Sequence, residues 1–265
     1  MPSYVVAGAS RGMGLEFVKQ LLAKGNLVFA IARTPDKAAG LQALKADKNL
    51  HILKGDITKP QDMKAAAEAT AKVTGGSLDV LINNAAYLSH DGTYNAIDDF
   101  ESDEALITSF NNNWNTNVVG VVLTTNAFIP LLAKGLLKKV LTLSSGLGDP
   151  FFTLETEFEW CVAYSVAKCA LEMVNIKYAA KYKKEGWLFL AISPGVVSTA
   201  EEAPPADVLP KLQTMAGQFM QAAPHWTGPI TPEDSVGKML AILDKTGPDM
   251  SGKFISHLGN REQWL

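Results

Sequence analysis

Tyr164 and Lys168 are spaced like an acid/base pair on one helix, in the segment Tyr-Ser-Val-Ala-Lys. Four residues span about one helical turn, so the two side chains share a face. A phenol ordinarily has a pKa of about 10, and a nearby ammonium favours the phenolate and lowers that pKa. The pair is therefore a candidate general acid/base. The alternative is an ordinary surface pair, since Tyr178 and Lys181 are also close together on the same predicted helix.

A glycine-rich turn lies near the N-terminus, where Gly8, Gly12 and Gly14 follow the apolar run Tyr4–Ala7 and precede a helical pattern. Glycines between a strand and a helix let the backbone approach a pyrophosphate, which then lies against the positive end of the helix. Three glycines alone also fit an ordinary turn. Their place between the first strand and the first helix favours a dinucleotide site.

The end of the second predicted strand indicates which dinucleotide is bound. An acidic residue there would bind the ribose 2′-hydroxyl of NAD, but the chain has Ala32 followed by Arg33, with Arg11 in the glycine turn. Two guanidiniums and no carboxylate favour the 2′-phosphate of NADP(H). The alternative is that both arginines are ordinary surface charges.

Short apolar runs alternate with helical patterns along almost the whole chain, which is typical of βαβ units and a parallel sheet. Unbroken apolar strands indicate helices on both faces. We expect an α/β, single-domain Rossmann fold over residues 1–265, with a doubly wound seven-stranded parallel sheet. The predicted strands are Tyr4–Ala7, Leu27–Ala32, Leu50–Leu53, Val80–Ile82, Val140–Ser144, Leu188–Ile192 and Lys253–Ser256.

Composition limits the partners. The formal net charge is −3 with 47% hydrophobic residues, and the basic residues are interspersed with acidic ones, so we expect neither nucleic acid nor a membrane as partner. The N-terminus has no signal-peptide pattern. The apolar segment Val118–Leu132 is interrupted by polar residues and a proline and is too short for a membrane span. Cys161 and Cys169 are too far apart on a predicted helix to form a disulfide. A cytoplasmic protein with a small-molecule partner is expected. The four scattered histidines predict no metal site.

The glycine pattern resembles that of the short-chain dehydrogenases/reductases, and further motifs follow in the order of that family. The local sequence around these motifs resembles that of fungal reductases and bacterial C-factor-like proteins. The matching motifs are Asp56-Ile57, Asn83-Asn84-Ala85-Ala86, Asn117 in a long helix, Ser144-Ser145-Gly146, Tyr164 to Lys168, and Pro194 to Thr199. Ala7 and Ala86 replace residues that are usually threonine and glycine in the family.

The resemblance implies an NADP(H)-dependent enzyme that interconverts a carbonyl and an alcohol, with Tyr164 exchanging a proton with the substrate oxygen. Ser145, rather than Ser144, would hydrogen-bond that oxygen, Lys168 would also hold the nicotinamide ribose, and Asn117 would position a water for proton relay. The expected cofactor-binding residues are Gly8, Ser10, Arg11, Gly12, Met13, Gly14, Arg33, Asp56, Ile57, Asn84, Ala85, Tyr164, Lys168, Pro194, Gly195, Val197 and Thr199. The alternatives are a non-redox or bifunctional biosynthetic step and a non-catalytic NADP(H) sensor. A homodimer or homotetramer is expected from the family alone.

Two segments are expected near the substrate. The interval from Ser145 to Tyr164 is several residues longer than in most of the family, so we interpret 147–160 as an inserted loop. Its aromatic residues could line a pocket for a bulky apolar carbonyl. The alternative is that they pack against one another. Residues 198–231, with five prolines, are interpreted as a substrate-binding loop or lid, or else as a surface excursion.

Overall fold

The computed structural model describes residues 1–88, 93–199, 206 and 208–265. Within them, seven strands form one parallel sheet in the order β3-β2-β1-β4-β5-β6-β7. The predicted architecture is confirmed, and every predicted strand end agrees to within one residue. The strands are β1 Ser3–Ala7, β2 Leu27–Ala32, β3 Leu50–Lys54, β4 Val80–Asn83, β5 Lys139–Leu143, β6 Leu188–Ser193 and β7 Phe254–Ser256.

Helices cover both faces of the sheet. Neighbouring strand residues such as Val5 and Val6 belong to separate buried clusters on opposite faces, because successive side chains of a strand point to opposite sides. This double burial explains the unbroken apolar strands. The helices are α1 Gly12–Ala23, α2 Ala39–Leu44, α3 Pro60–Thr74, α4 Asp103–Trp114, α5 Val121–Leu132, α6 Pro150–Thr156, α7 Val162–Lys181, α8 Leu209–Ala222 and α9 Pro232–Lys245, with a π-helical turn at Asn115–Gly120.

The segment 147–160 is not the loop that we predicted. A short 3₁₀ turn, Gly146–Gly148, leads directly into α6. Asp149 begins this helix, since its carboxylate accepts hydrogen bonds from the backbone N–H groups of Phe151 and Phe152, both at 3.0 Å. Asp followed by Pro is a strong helix start, so a helix forms where we predicted a loop.

The segment 198–231 is likewise not a loop throughout, because it contains the 14-residue helix α8. The part of this predicted lid at 200–205 and 207 lies outside the described residues. A third buried cluster, which includes Ala191 of β6 and Phe254 of β7, joins α6 and α8 to the C-terminal end of the chain. Its largest members are Phe152, Phe158, Phe219, Trp226, Phe254 and Trp264.

The helical stretch Asp103–Leu132 is long and apolar enough to pass a length-and-composition test for a membrane span, but half of its most apolar part is buried inside the protein. It includes the helix predicted at Val118–Leu132. Core helices pass the same test, so this is weak evidence for a membrane. Cys161 and Cys169 are both free, the first buried and the second exposed.

Candidate active site

The candidate residues meet at the carboxyl edge of the sheet. β1 lies between β2 and β4, and the chain crosses to the other half of the sheet between β3 and β4. Ligands of open parallel sheets bind outside the strand ends at such a switch point. Ala7 at the end of β1 pairs with Asn83 at the end of β4, and Asn83 pairs with Thr142 of β5, so the loops after these three strands are neighbours.

The glycine turn is packed so closely that it needs its glycines. Gly8 has φ +85° and Gly12 has φ +54°, conformations that favour glycine. A Cβ on Gly14 would overlap the carbonyl oxygen of Gly8 and lie 2.5 Å from Nδ2 of Asn84. That Nδ2 donates to the Gly8 carbonyl at 2.7 Å, so β4 supports the turn after β1.

The start of α1 fits an anionic group. Arg11 is its N-cap residue, and in the described part of the chain no side chain caps its N–H groups and no acidic residue lies in its first turn. The positive end of the helix is therefore available for a pyrophosphate. Ser10 is partly exposed and Arg11 exposed, whereas the side chain of Met13 is partly buried and packs against the core.

The loop after β6 lies beside this turn. Thr199 is exposed, and its Cγ2 would lie 3.5 Å from a Cβ on Gly12. Val197 forms a parallel bridge with Ile230, which anchors the loop. Pro194 is buried, and its carbonyl oxygen accepts a hydrogen bond from the Ser235 hydroxyl at 2.7 Å.

The His257 ring packs against Gly195 in the loop after β6. Gly195 has φ +80°, and a Cβ there would lie 2.7 Å from the Cε1 atom of the His257 ring. Burial, together with the charge of Lys238, lowers the pKa of His257 to about 4. The ring is therefore neutral at physiological pH.

Arg33 and Asp56 lie close together after β2 and β3. Burial raises the pKa of the Asp56 carboxyl, but hydrogen bonds from Thr58 and the charge of Arg33 outweigh it and leave that pKa below its usual value. The Thr58 N–H and hydroxyl donate to Oδ1 of Asp56 at 3.0 and 2.8 Å. Arg33 is exposed. Ile57 is buried in the core, and Ala85 lies directly against Gly8.

Ser145, Tyr164 and Lys168 come together between β5 and α7. Lys168 Nζ lies 5.5 Å from the centre of the Tyr164 ring, and the Ser145 hydroxyl hydrogen-bonds Tyr164. Ser144 instead is buried, and its hydroxyl donates to the Lys168 carbonyl at 3.4 Å. The geometry thus directs Ser145, and not Ser144, toward the tyrosine.

The expected fall in the pKa of Tyr164 is wrong for this structure. Burial raises the pKa of Tyr164 to about 12, and the Ser145 hydrogen bond only partly opposes it. Lys168 Nζ donates to the Leu143 carbonyl at 2.7 Å, so the ammonium is turned toward the backbone of β5. Burial also lowers the pKa of Lys168 to about 8.

Both donors of the Asn117 side-chain amide are used in hydrogen bonds to the protein. Its Oδ1 accepts from the backbone N–H of Tyr87 at 2.8 Å, and its Nδ2 donates to the Tyr87 carbonyl at 2.8 Å and to Oδ1 of Asn113 at 3.0 Å. It therefore fastens the loop after β4 to the π-helical turn, and no side-chain donor is left for the predicted water relay. Asn113, which sequence reasoning missed, lines with Tyr164 a cavity of about 10 Å³. The repeat of asparagine at a four-residue interval was the signal for this pair.

The match to known proteins decides the family. The sequence pattern of the short chain dehydrogenase family covers residues 3–206. This chain belongs to the short-chain dehydrogenase family. It is 40% identical to a short-chain dehydrogenase/reductase of Aspergillus aculeatus and 38% identical to a short chain dehydrogenase of Hypocrea virens, in each case over the full length of both chains.

Solved structures agree with this membership in an oxidoreductase family. An NADPH-bound carbonyl reductase from chicken fatty liver superposes with a TM-score of 0.79 at 28% identity, over 98% of both chains. The carbonyl reductase Sniffer of Drosophila melanogaster also gives a TM-score of 0.79, over 98% of both chains, but at 23% identity it supports the fold alone.

Proposed function

We propose that this short-chain dehydrogenase uses NADP(H) to interconvert a carbonyl group and an alcohol, with Tyr164 as the general acid/base. The observation that carries the proposal is the grouping of Tyr164, Ser145 and Lys168 at the sheet edge that also holds the glycine turn. The chicken carbonyl reductase, which has the same fold, was solved with NADPH.

The described residues fit a dinucleotide along the carboxyl edge of the sheet. The glycine turn and the uncapped start of α1 would hold the pyrophosphate. The loops after β2, β3 and β4 would hold the adenosine side, and Lys168 with the loop after β6 would hold the nicotinamide side. The residues assigned to the adenosine side are Arg33, Asp56, Ile57, Asn84 and Ala85, and those on the nicotinamide side are Tyr164, Lys168, Pro194, Gly195, Val197 and Thr199.

The preference for NADP(H) rests on charge. β2 ends at Ala32, where no carboxylate can repel a 2′-phosphate, and Arg33 follows it at the surface. Asp56 lies near Arg33, but Thr58 holds its carboxylate. Arg33 can therefore turn its guanidinium to a phosphate, a geometry that this group binds well.

NADPH, when bound, supplies the hydride that reduces the carbonyl carbon. The Tyr164 hydroxyl donates its proton to the carbonyl oxygen, and the Ser145 hydroxyl hydrogen-bonds the same oxygen. With a pKa of about 12 the phenol is fully protonated at neutral pH, which suits a proton donor in the reductive direction. To stabilise the tyrosinate, the Lys168 ammonium, which lies 5.5 Å from the centre of the Tyr164 ring, would exchange its hydrogen bond to the Leu143 carbonyl for one to the Tyr164 oxygen.

The surroundings of Tyr164 favour a bulky apolar or aromatic carbonyl. Tyr164 is packed against the third cluster together with Leu147, Trp160, Val196 and Met215. The ring of Trp160 meets that of Phe158 edge to face at 5.7 Å. Apolar walls with a few directed polar groups are typical of small-molecule sites.

The test is NADPH consumption with a panel of aromatic and aliphatic ketones and aldehydes. Removing a general acid typically lowers the rate by about 10²- to 10⁴-fold, so Tyr164→Phe should lose kcat on this scale while keeping its affinity for NADPH. Tyr182→Phe is the matched control, because Tyr182 ends the same helix and has its own lysine neighbour, Lys181, at 5.2 Å. Tight NADPH binding without turnover of any carbonyl by the wild type would contradict the proposal.

A further inference from the structure

The C-terminal tail, His257–Leu265, folds back over the segment that carries Ser145. It follows β7 and ends with Trp264 and Leu265, both buried. A Cβ on Gly146, the residue after Ser145, would lie 2.9 Å from Cβ of Trp264. The Trp264 ring also lies 4.6 Å from the ring of Phe254 in β7. The tail is therefore packed against the sheet and against the residue that follows Ser145.

Arg261 of this tail joins two elements of the active site. Its Nη1 donates to Oε1 of Glu172 at 3.0 Å, and its Nη2 donates to Oδ2 of Asp149 at 3.2 Å. Glu172 lies two turns after Tyr164 on α7, and Asp149 lies four residues after Ser145. The Arg261 guanidinium therefore links α7, which carries Tyr164, to the segment that carries Ser145.

Asp149 and Arg261 each have further contacts that hold this bridge in place. Asp149 is 3% exposed, and its Oδ1 accepts the two backbone hydrogen bonds that start α6. The Arg261 guanidinium lies 5.9 Å from the centre of the Phe254 ring. A planar group held by two carboxylates and an aromatic face keeps a defined position.

We propose that Arg261 is a positioning residue that fixes Ser145 relative to Tyr164. The inference rests on the proposed function, in which both hydroxyls must reach one carbonyl oxygen although they come from separate elements. Arg261 contacts neither hydroxyl, and it acts through Asp149 and Glu172. A misplacement of about 1 Å in such a constellation can lower turnover by up to ~10²-fold.

The test compares steady-state kinetics and NADPH affinity of the wild type with those of Arg261→Ala, Glu172→Ala and Arg261→Lys. For Arg261→Ala we expect kcat to fall about ten-fold while the Kd for NADPH, measured by fluorescence, stays within about two-fold. Glu172→Ala keeps the Arg261–Asp149 pair and removes both acceptors of the link to α7, so it should lose most of the same factor. Arg261→Lys should be intermediate, because an ammonium cannot span both carboxylates.

Lys24→Ala is the matched control. It removes the exposed 3.1 Å ion pair with Asp244 between α1 and α9, which does not touch the segment of Ser145 or α7, and it should leave kcat unchanged. Millimolar guanidinium should restore part of the turnover of Arg261→Ala, and the same concentration of sodium chloride should not.

The outcomes separate the inference from the proposed function. If the wild type reduces no carbonyl, the proposed function fails. If the wild type is active and Glu172→Ala keeps its full kcat, the bridge does not position the hydroxyls, and Arg261 merely neutralises Asp149. A loss of NADPH affinity in step with kcat would equally overturn the positioning role. Should Arg261→Ala fail to fold, Glu172→Ala decides alone.

Discussion

Replacing Lys168 by methionine should abolish activity and yet stabilise the protein at neutral pH. Lys168 is 2% exposed, and burial lowers its pKa from 10.5 to about 8. At about 1.4 kcal/mol per pH unit, this difference corresponds to a cost of roughly 3 kcal/mol for keeping the charged amine in the fold at pH 7. The variant also loses the hydrogen bond to Leu143, worth about 1 kcal/mol, so its free energy of unfolding at pH 7 should rise by about 2 kcal/mol.

The pH dependence gives the sharper check. Lys168 binds its proton less tightly in the folded than in the unfolded chain, so between pH 8 and 10.5 the unfolded chain carries more protons and stability rises with pH. From pH 7 to 9.5 the wild type should gain about 2 kcal/mol relative to Lys168→Met. Comparing the two proteins cancels the contributions of other titrating groups.

Urea unfolding followed by tryptophan fluorescence, under reducing conditions and at both pH values, measures this difference. Lys177→Met is the control, because Lys177 lies on the same helix with an exposed side chain, and its unfolding curve should follow that of the wild type at both pH values. A difference between wild type and Lys168→Met that stays constant with pH would refute the reasoning.

Three further changes have defined outcomes. Gly14→Ala forces a methyl group into the Gly8 carbonyl and should weaken NADPH binding at least about ten-fold in a fluorescence titration; unchanged binding would mean that the turn does not hold the cofactor. Arg33→Ala should raise the Kd for NADPH about ten-fold or more and leave that for NADH unchanged, whereas equal losses for both would point away from the 2′-phosphate. Phe152→Ala should lower the free energy of unfolding by about 3 kcal/mol and Phe151→Ala by less than ~0.5 kcal/mol, because Phe152 is buried and Phe151 exposed; equal effects in urea unfolding would contradict the packing of α6.

The sheet could be predicted from the sequence because its signals are local. Each strand is a short apolar run next to a glycine or polar turn, and burial on both faces leaves the run unbroken, as in Val5 and Val6. The glycine turn was readable for the same reason, since strand, turn and helix follow one another directly. The spacing of Tyr164 and Lys168 also placed them correctly on one helix.

What could not be predicted depends on residues far apart in the chain. The raised pKa of Tyr164 comes from burial, to which α6, α8 and the C-terminal tail contribute through the third cluster. The Asn117 amide is committed to Tyr87, thirty residues earlier, and Arg261 meets Asp149 over 112 residues. Neither pairing leaves a periodic or compositional trace. The helix α6 is different, because its start at Asp149-Pro150 is a local signal in the sequence.

The third cluster affects how proteins of this architecture diversify. It is built from α6, α8, the C-terminal tail, Ala191 of β6 and Phe254 of β7, and it is separate from the two clusters that contain the buried residues of β1, β2 and β4. Substitutions among its aromatic residues would reshape the wall beside Tyr164 without disturbing the strands that present the nucleotide. A lineage could therefore change which molecules it accepts while its hydride chemistry is inherited intact.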